Sequence, residues 1–295
     1  MAEFKILTDA TVDLPPDMYG SLGITILPMI VDVNGTDYRI QAEKSEIDIV
    51  DFYARLDKGE IARTSQVSNN DFYEYISAEF KKGFDVLMIS FSSGLSTSYE
   101  GSVVVAERLK AEYPDRKAIC IDSRTACGGY GILIHGAVRR QRQGMSLEEV
   151  AKWVEDNKML IDHWVTVDEL DTLYRGGRIS RTSAAMGSML NIKPIIHINR
   201  EGRLISVGKV RGRKKALQVL ADEFRTGWDG GDDMVMIGYG GSAMDEALAL
   251  RETLMADGGP EEVYLAPVGV VVGAHTGSSV IAVFFHRNDL RQDSK

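Results

Sequence analysis

Short β-rich runs alternate with amphipathic runs through the first half of this chain, and no other feature restricts its fold as much. Phe4–Thr8, Val86–Ser90 and Ala118–Asp122 read as strands, and each is followed by residues with helical periodicity. Parallel strands need long crossovers, most often helices, so the alternation predicts a largely parallel sheet covered on both faces. The helical runs carry their own punctuation. Asp13 caps a short helix with Pro15 near its first turn and Gly23 at its end. Ser45 opens a helix with Ile47, Val50, Tyr53, Ala54 and Leu56 on its apolar face. Ser68 caps another, with Phe72, Tyr75, Ile76 and Phe80 on one side, and Ser98–Glu112 is a third. A Gly-rich loop leads to a helix ending near Gly144, and Ser146 with Glu149 forms a capping box for a helix to about Leu160. Ile24–Val33 reads as extended, and Asn34-Gly35 is a hairpin turn signal.

The pattern changes after His163–Val167. Asp168–Arg175 is a helical patch. Lys193–Asn199 and Arg203–Lys209 flank Arg200-Glu201-Gly202 and read as an antiparallel hairpin. Helices Lys214–Phe224 and Ala243–Met255 follow, with strands Met234–Tyr239, Val263–Leu265, Val268–Gly273 and Val280–Phe285. A chain of 295 residues is near the size at which one core stops growing. The expectation is an α/β protein of two domains. Residues 1–162 form an N-terminal, largely parallel sheet flanked by helices, and 163–295 a C-terminal mixed α/β domain.

Net charge −9 argues against nucleic acid as a partner, since phosphate binding needs a basic stripe. No apolar run is long enough to cross a bilayer, so no stable membrane insertion is expected. The start MAEFKILTD has no signal-peptide pattern, and Cys120 and Cys127 read as reduced thiols, which together predict a cytoplasmic protein. The histidines show no metal-ligand pairing.

Ligands of open parallel sheets bind beyond the carboxyl ends of the strands. There, Ser92-Ser93-Gly94-Leu95-Ser96-Thr97-Ser98 sets five hydroxyls in seven positions at the start of a helix, where free N–H groups suit an anion. Helix capping alone would use one of them. Thr64-Ser65-Gln66 precedes the Ser68 helix and reads equally as a cap. His275-Thr276-Gly277-Ser278-Ser279 follows an apolar run, and its histidine can donate to an anion. Arg175-Gly176-Gly177-Arg178 looks exposed and suited to an anion or to a solvated helix end. His135, His163, His197 and His286 take the structural reading. Asp9, Asp13 and Asp122 sit at strand ends, where carboxylates serve loop hydrogen bonds, acid–base work or Mg²⁺ alike. No nucleophile elbow, dinucleotide fingerprint or Walker motif is present.

These segments together resemble the DegV family. TDATVDLP (Thr8–Pro15), TSQVS (Thr64–Ser68) and ISFSSGLSTSY (Ile89–Tyr99) are similar to its signatures, as is IDSRTACGGYG (Ile121–Gly131). So are LYRGGRIS (Leu173–Ser180), LNIKPI (Leu190–Ile195), KVRGRKKA (Lys209–Ala216) and GAHTGSS (Gly273–Ser279). The resemblance implies a cytoplasmic lipid-binding protein, not itself an enzyme, which holds one long-chain fatty acid with its acyl chain in an apolar tunnel. It implies no cofactor and no metal. It implies an ATP-dependent kinase subunit as partner, as in bacterial fatty-acid kinase, where acyl phosphate feeds phospholipid synthesis. The matching motifs carry Thr64, Ser65, Ser93, Ser96, Thr97, Arg178, His275 and Thr276 as ligand-binding residues. Thr97 stands where the family has glycine, and Ser278 where it has proline. The competing reading is a metal-dependent phosphotransferase or hydrolase using Asp9 and Asp122, and a third is a sensor or regulatory module.

Overall fold

Strand β1 (Phe4–Asp9) is buried at almost every position, the mark of a strand covered on both faces. It lies inside a four-stranded parallel sheet of order β2-β1-β6-β7, with β2 (Thr25–Leu27), β6 (Asp85–Ser90) and β7 (Ala118–Asp122). The computed structural model describes residues 3–180, 191–231, 234–256 and 258–291, without the Glu43 side chain. Helices α3 (Asn69–Lys81), α4 (Ser98–Glu112), α5 (Cys127–Arg142) and α6 (Leu147–Asn157) cover the sheet. Ser68 caps α3 by accepting from Asp71 N at 3.0 Å, and the Ser146–Glu149 capping box is formed at α6.

The extended run 24–33 is not one strand. Pro28 has no N–H for a ladder, and the chain changes sheets there. β3 (Met29–Val33) joins β4 (Thr36–Ile40) and β5 (Ala62–Thr64) in a three-stranded antiparallel sheet. The helix expected from Asp13 starts later, as a 3₁₀ turn at Pro16–Met18 running into α1 (Tyr19–Leu22), which Gly23 ends with φ 68°. Asp13 caps nothing and is buried. The helix expected from Ser45 is α2 (Ile49–Asp57). Its cap is Asp48, which accepts from Val50 N at 2.8 Å. Val50 is 74% exposed and does not belong to the apolar face.

The second half builds a six-stranded sheet from β8 (Ile161–Thr166), β9 (Ile192–Ile198), β10 (Leu204–Arg211), β11 (Met236–Tyr239), β12 (Tyr264–Pro267) and β13 (Ile281–His286). Its order is β10-β9-β8-β13-β11-β12, and every pairing is antiparallel except β11 with β12. A division at residue 162 falls inside β8. Helices α8 (Arg213–Gly227) and α9 (Met244–Met255) pack against this sheet. The glycine-rich start of α5 approaches it from the parallel-sheet side: a Cβ on Gly128 would stand 2.6 Å from the Phe284 ring.

Val268–Gly273, expected as a strand, is helical. β12 stops at Pro267, Gly269 caps the next element, and α10 (Val270–Thr276) follows. A short buried apolar run fits a strand or a helix equally by periodicity. The helical patch before Gly176 is α7 (Asp171–Arg175). Leu190, at the start of the LNIKPI motif, lies outside the described residues.

The two larger sheets are joined at several points. Ser92 Oγ donates to Gly202 O at 2.8 Å and Arg124 Nη1 to Glu201 O at 2.7 Å, which holds the β9–β10 turn on the loops of the parallel sheet. Tyr53 Oη donates to Val268 O at 2.7 Å.

Candidate functional site

In the order β2-β1-β6-β7, the chain leaves β1 toward one side and β6 toward the other. A crevice opens beyond their carboxyl ends, as it does at such switch points generally. Asp9 pins the two loops that form it. One carboxylate oxygen accepts from Thr11 N at 3.0 Å and from the Thr11 hydroxyl, and the other from Phe91 N at 3.1 Å.

Past that pin lies a cavity with about 840 Å³ of space, counting the solvent at its opening. Its walls are apolar: Met29 from β3, Phe91 after β6, Leu173 from α7, Val268 and Val271 around the start of α10, and Phe284 from β13. Besides Thr11, Gln66 and His163, four separate places supply its polar residues. Thr64 ends β5 and Ser65 follows it. Ser96 precedes α4, Arg178 follows α7, and His275 and Thr276 close α10. His275 therefore stands in the last turn of a helix rather than in a loop after a strand.

Ser93 and Thr97 are not among the lining residues. The Ser93 hydroxyl donates to Asp122 Oδ2 at 2.6 Å, and the Thr97 hydroxyl bonds the Gln66 side chain. Most of the serine-rich loop is spent in this way. Ser92 holds Gly202, and Ser98 Oγ accepts from Val67 N at 3.3 Å. Ser96 alone of these serines reaches the cavity, with Ser98 Oγ 3.0 Å from its hydroxyl. Thr276 Oγ1 returns to Val272 O at 3.2 Å.

Thr64 Oγ1 and His275 Nε2 are 2.8 Å apart. Burial, with a smaller contribution from the Arg178 charge, pushes the His275 imidazole down to about 4, so it is neutral near pH 7. With its proton on Nε2, His275 donates to the Thr64 oxygen and frees the Thr64 hydroxyl hydrogen for an incoming acceptor. His275 Nδ1 is buried without a partner, against Gly176, where any side chain would collide with the ring.

Arg178 is half-buried, not exposed as its flanking glycines suggest, whereas Arg175 is exposed. The Arg178 guanidinium donates to Leu95 O at 3.1 Å and to Gly176 O. Burial lowers its pKa, and no carboxylate among the described residues pairs with it. A cation bonded to carbonyls, with no carboxylate partner among the described residues and beside neutral hydroxyl and imidazole groups, leaves the site electrostatically open to an anion.

Thr64, Arg178, His275 and Thr276 also line a second, polar cavity on the outer side, together with Arg63 and Arg175. The donors thus form a partition between an apolar interior and a polar exterior.

The strand-end carboxylates are placed differently. Asp9 accepts three hydrogen bonds, and Asp122 accepts from Ser93 N at 3.0 Å, from the Ser93 hydroxyl and from Arg124 N at 3.1 Å and is ion-paired with Arg124 Nε at 2.7 Å. Among the described residues no three His, Cys, Asp or Glu side chains gather into a metal-ligand cluster. The residue that sequence reading passed over is His163. It lines the cavity, stacks edge-on to Phe284 at 5.3 Å and accepts from Ala126 N at 3.1 Å. Nothing in its local sequence signals this. His197 and His286 are structural, each paired with a carboxylate.

Comparison with known proteins yields consistent matches. The family described as "Uncharacterised protein, DegV family" matches residues 3–288. A DegV domain-containing protein of Clostridium perfringens is 37% identical over 285 residues, covering 97% of this chain and 98% of the relative. A DegV family protein from Thermus thermophilus, whose structure is described for fatty acid binding, superposes with a TM-score of 0.85 at 29% identity, covering 97% of this chain and 100% of that one. A DegV lipid-binding protein from Thermotoga maritima gives a TM-score of 0.85 at 25% identity, covering 98% and 100%.

Proposed function

This chain belongs to the DegV family, and on that premise we propose that it binds a long-chain fatty acid and presents the carboxylate to a separate ATP-dependent kinase subunit. The observation that carries the reading is the pairing of an apolar cavity with an uncompensated cluster of donors at one end, Arg178 above all. Each methylene buried contributes roughly 0.8 kcal/mol before the costs of association, so the chain supplies most of the affinity. Thr64, Ser96 and Arg178 then orient the head group. Fatty acid and lipid binding by the Thermus and Thermotoga relatives supports the same ligand class. The carboxylate lies between the domains 1–162 and 163–295 that we propose for the chain. It faces the outer polar cavity, from which a kinase delivers a phosphoryl group. In this reading the chain is the binding component and not the catalyst. No described helix is long and apolar enough to cross a membrane.

Organic extraction of the purified protein followed by mass spectrometry tests the ligand. A long-chain acid at near-stoichiometric amount is expected, or uptake of labelled palmitate by delipidated protein. A lipid-free protein that takes up neither palmitate nor oleate would overturn the reading.

A further inference from the structure

A second, largely apolar pocket, with about 1170 Å³ of space counting the solvent at its opening, shares two wall segments with the fatty-acid cavity. The two are separated by one layer of residues, contributed alternately by the same two segments. Thr11 lines the front cavity, while Val12 and Asp13 line the rear one. Val268 and Val271 face the front, while Gly269 and Val270 face the rear. Cys127 lines the front cavity, and its backbone bridges to that of Val12. Apolar side chains make up most of the rear wall, Val12, Leu14, Ile26, Ile47 and Val270 among them, beside the polar Tyr19, Ser45 and Asp48.

The layer between them is polar at its centre. Asp13 is 3% exposed, and its Oδ2 has no hydrogen-bond partner. The other carboxyl oxygen packs where a side chain on residue 269 would stand, which leaves glycine as the residue that fits. The Cys127 thiol lies beside the carboxyl. A methyl end driven through this layer would surround an unsatisfied oxygen with hydrocarbon and offer it no donor, which is costly for any buried polar group.

We propose that Asp13, Cys127 and Gly269 form the chain-length stop of the fatty-acid cavity, and that acyl chains longer than the front cavity pass into the rear chamber only when this stop is opened. The proposal rests on the fatty-acid reading of the front cavity. Burial pushes the Asp13 carboxyl up to about 7, so near neutrality much of it is a neutral acid able to donate as well as accept. A terminal hydroxyl on the ligand would complete its hydrogen bonding, whereas a terminal methyl cannot.

The test is a binding series of saturated acids from myristic to docosanoic on delipidated protein. The parent should bind palmitate well and docosanoic acid at least about tenfold more weakly, the equivalent of two methylenes denied burial. Asp13→Ala should narrow that ratio by at least about fivefold, with palmitate affinity kept within about twofold. At the limiting chain length, an acid with a terminal hydroxyl should bind the parent better than the unsubstituted acid. Asp13→Ala should erase that preference, which simple widening of the cavity would not do. The parent series needs no variant to fold. Equal binding of palmitate and docosanoic acid by the parent would overturn the stop, as would an Asp13→Ala variant that binds palmitate with an unchanged ratio. Failure to bind any acid of the series would instead strike the fatty-acid reading itself.

Discussion

The loops beyond the parallel sheet and the mouth of the cavity are built from the same residue types and end in opposite states. In the loops, Asp9 and Asp122 each accept several hydrogen bonds, and Ser92, Ser93 and Ser98 donate or accept across the fold. At the mouth, Thr64, Ser96, His275 and Arg178 sit around a cavity with capacity to spare, and no carboxylate among the described residues pairs with the cation. A polar group saturated by its own chain holds the structure. One left unsatisfied at the rim of an apolar cavity is available to a ligand. Asp13 belongs to neither set, since it is buried like the loop carboxylates, takes hydrogen bonds from Cys127 and Gly269, and still leaves one oxygen without a partner.

Breaking the saturated region should cost the most. Asp9→Ala strands Thr11 N and Phe91 N in a buried setting, and at roughly 1–3 kcal/mol for each orphaned donor the loss should reach about 3 kcal/mol or more. Denaturant unfolding of the variant would measure it, and a midpoint equal to the parent's would contradict the pinning role.

Asp13 should impose a pH dependence on stability. Its folded pKa of about 7 lies above the ordinary 3.8, because burial disfavours the charged form. The folded state therefore holds a proton that the unfolded chain has lost. Its contribution is complete below about 3.8 and declines as pH rises through about 7, with a slope of at most about 1.4 kcal/mol per pH unit. His275 acts in the opposite sense: folded at about 4 against 6.5, it supports stability above 6.5 and withdraws it as pH falls through 4. Unfolding measured from pH 4 to 8 on parent and Asp13→Asn isolates the first effect. The variant should lack the decline.

At the mouth, Thr64→Ala, Ser96→Ala and His275→Ala should each weaken fatty-acid binding. A hydrogen bond to a charged group is worth roughly 1.5–3 kcal/mol, or about ten- to a hundredfold in Kd. Thermal stability of the empty protein should change little. Arg178→Ala should weaken loading at least as much as these variants do, and should also depress acyl-phosphate formation at saturating acid in a coupled assay with the cognate kinase and ATP; Arg178→Lys should restore only part of each. Unchanged turnover with loading intact would assign Arg178 a purely structural role.

The smallest effect is expected from Ser93→Ala. Its hydroxyl already belongs to Asp122, so Kd for palmitate should shift by less than about twofold while unfolding records about 1 kcal/mol. A larger loss of binding than of stability would move Ser93 to the ligand side.

This contrast explains what the sequence could and could not disclose. Helix ends were legible where one residue decides them, as with Ser68, Gly23 and the Ser146–Glu149 box. The polar segments of the site were legible as groups. Which hydroxyl within a group faces the ligand was not, because that depends on a partner far along the chain: Ser92 is taken by Gly202, and Ser93 by Asp122. The Val268–Gly273 run was misread because its apolar residues suit a strand or a buried helix, and Pro267 and Gly269 decide the matter only in context. The split of Ile24–Val33 into two strands at Pro28 is not legible for the converse reason, since a proline inside an extended run fixes no particular sheet.

Thr64 comes from the small antiparallel sheet, Ser96 from a loop of the parallel sheet, and Arg178 and His275 from the ends of α7 and α10, two helices packed on each other. No single layer of the fold contains the head-group site. A fatty acid lodged there would act as interior filling shared by all of them, and its occupancy would be counted in the cohesion of the whole molecule. Filled protein should therefore melt later and exchange amide hydrogens more slowly along these seams than emptied protein, by an amount that grows with free ligand as RT ln(1 + [L]/Kd). Emptying the cavity amounts to removing part of the core.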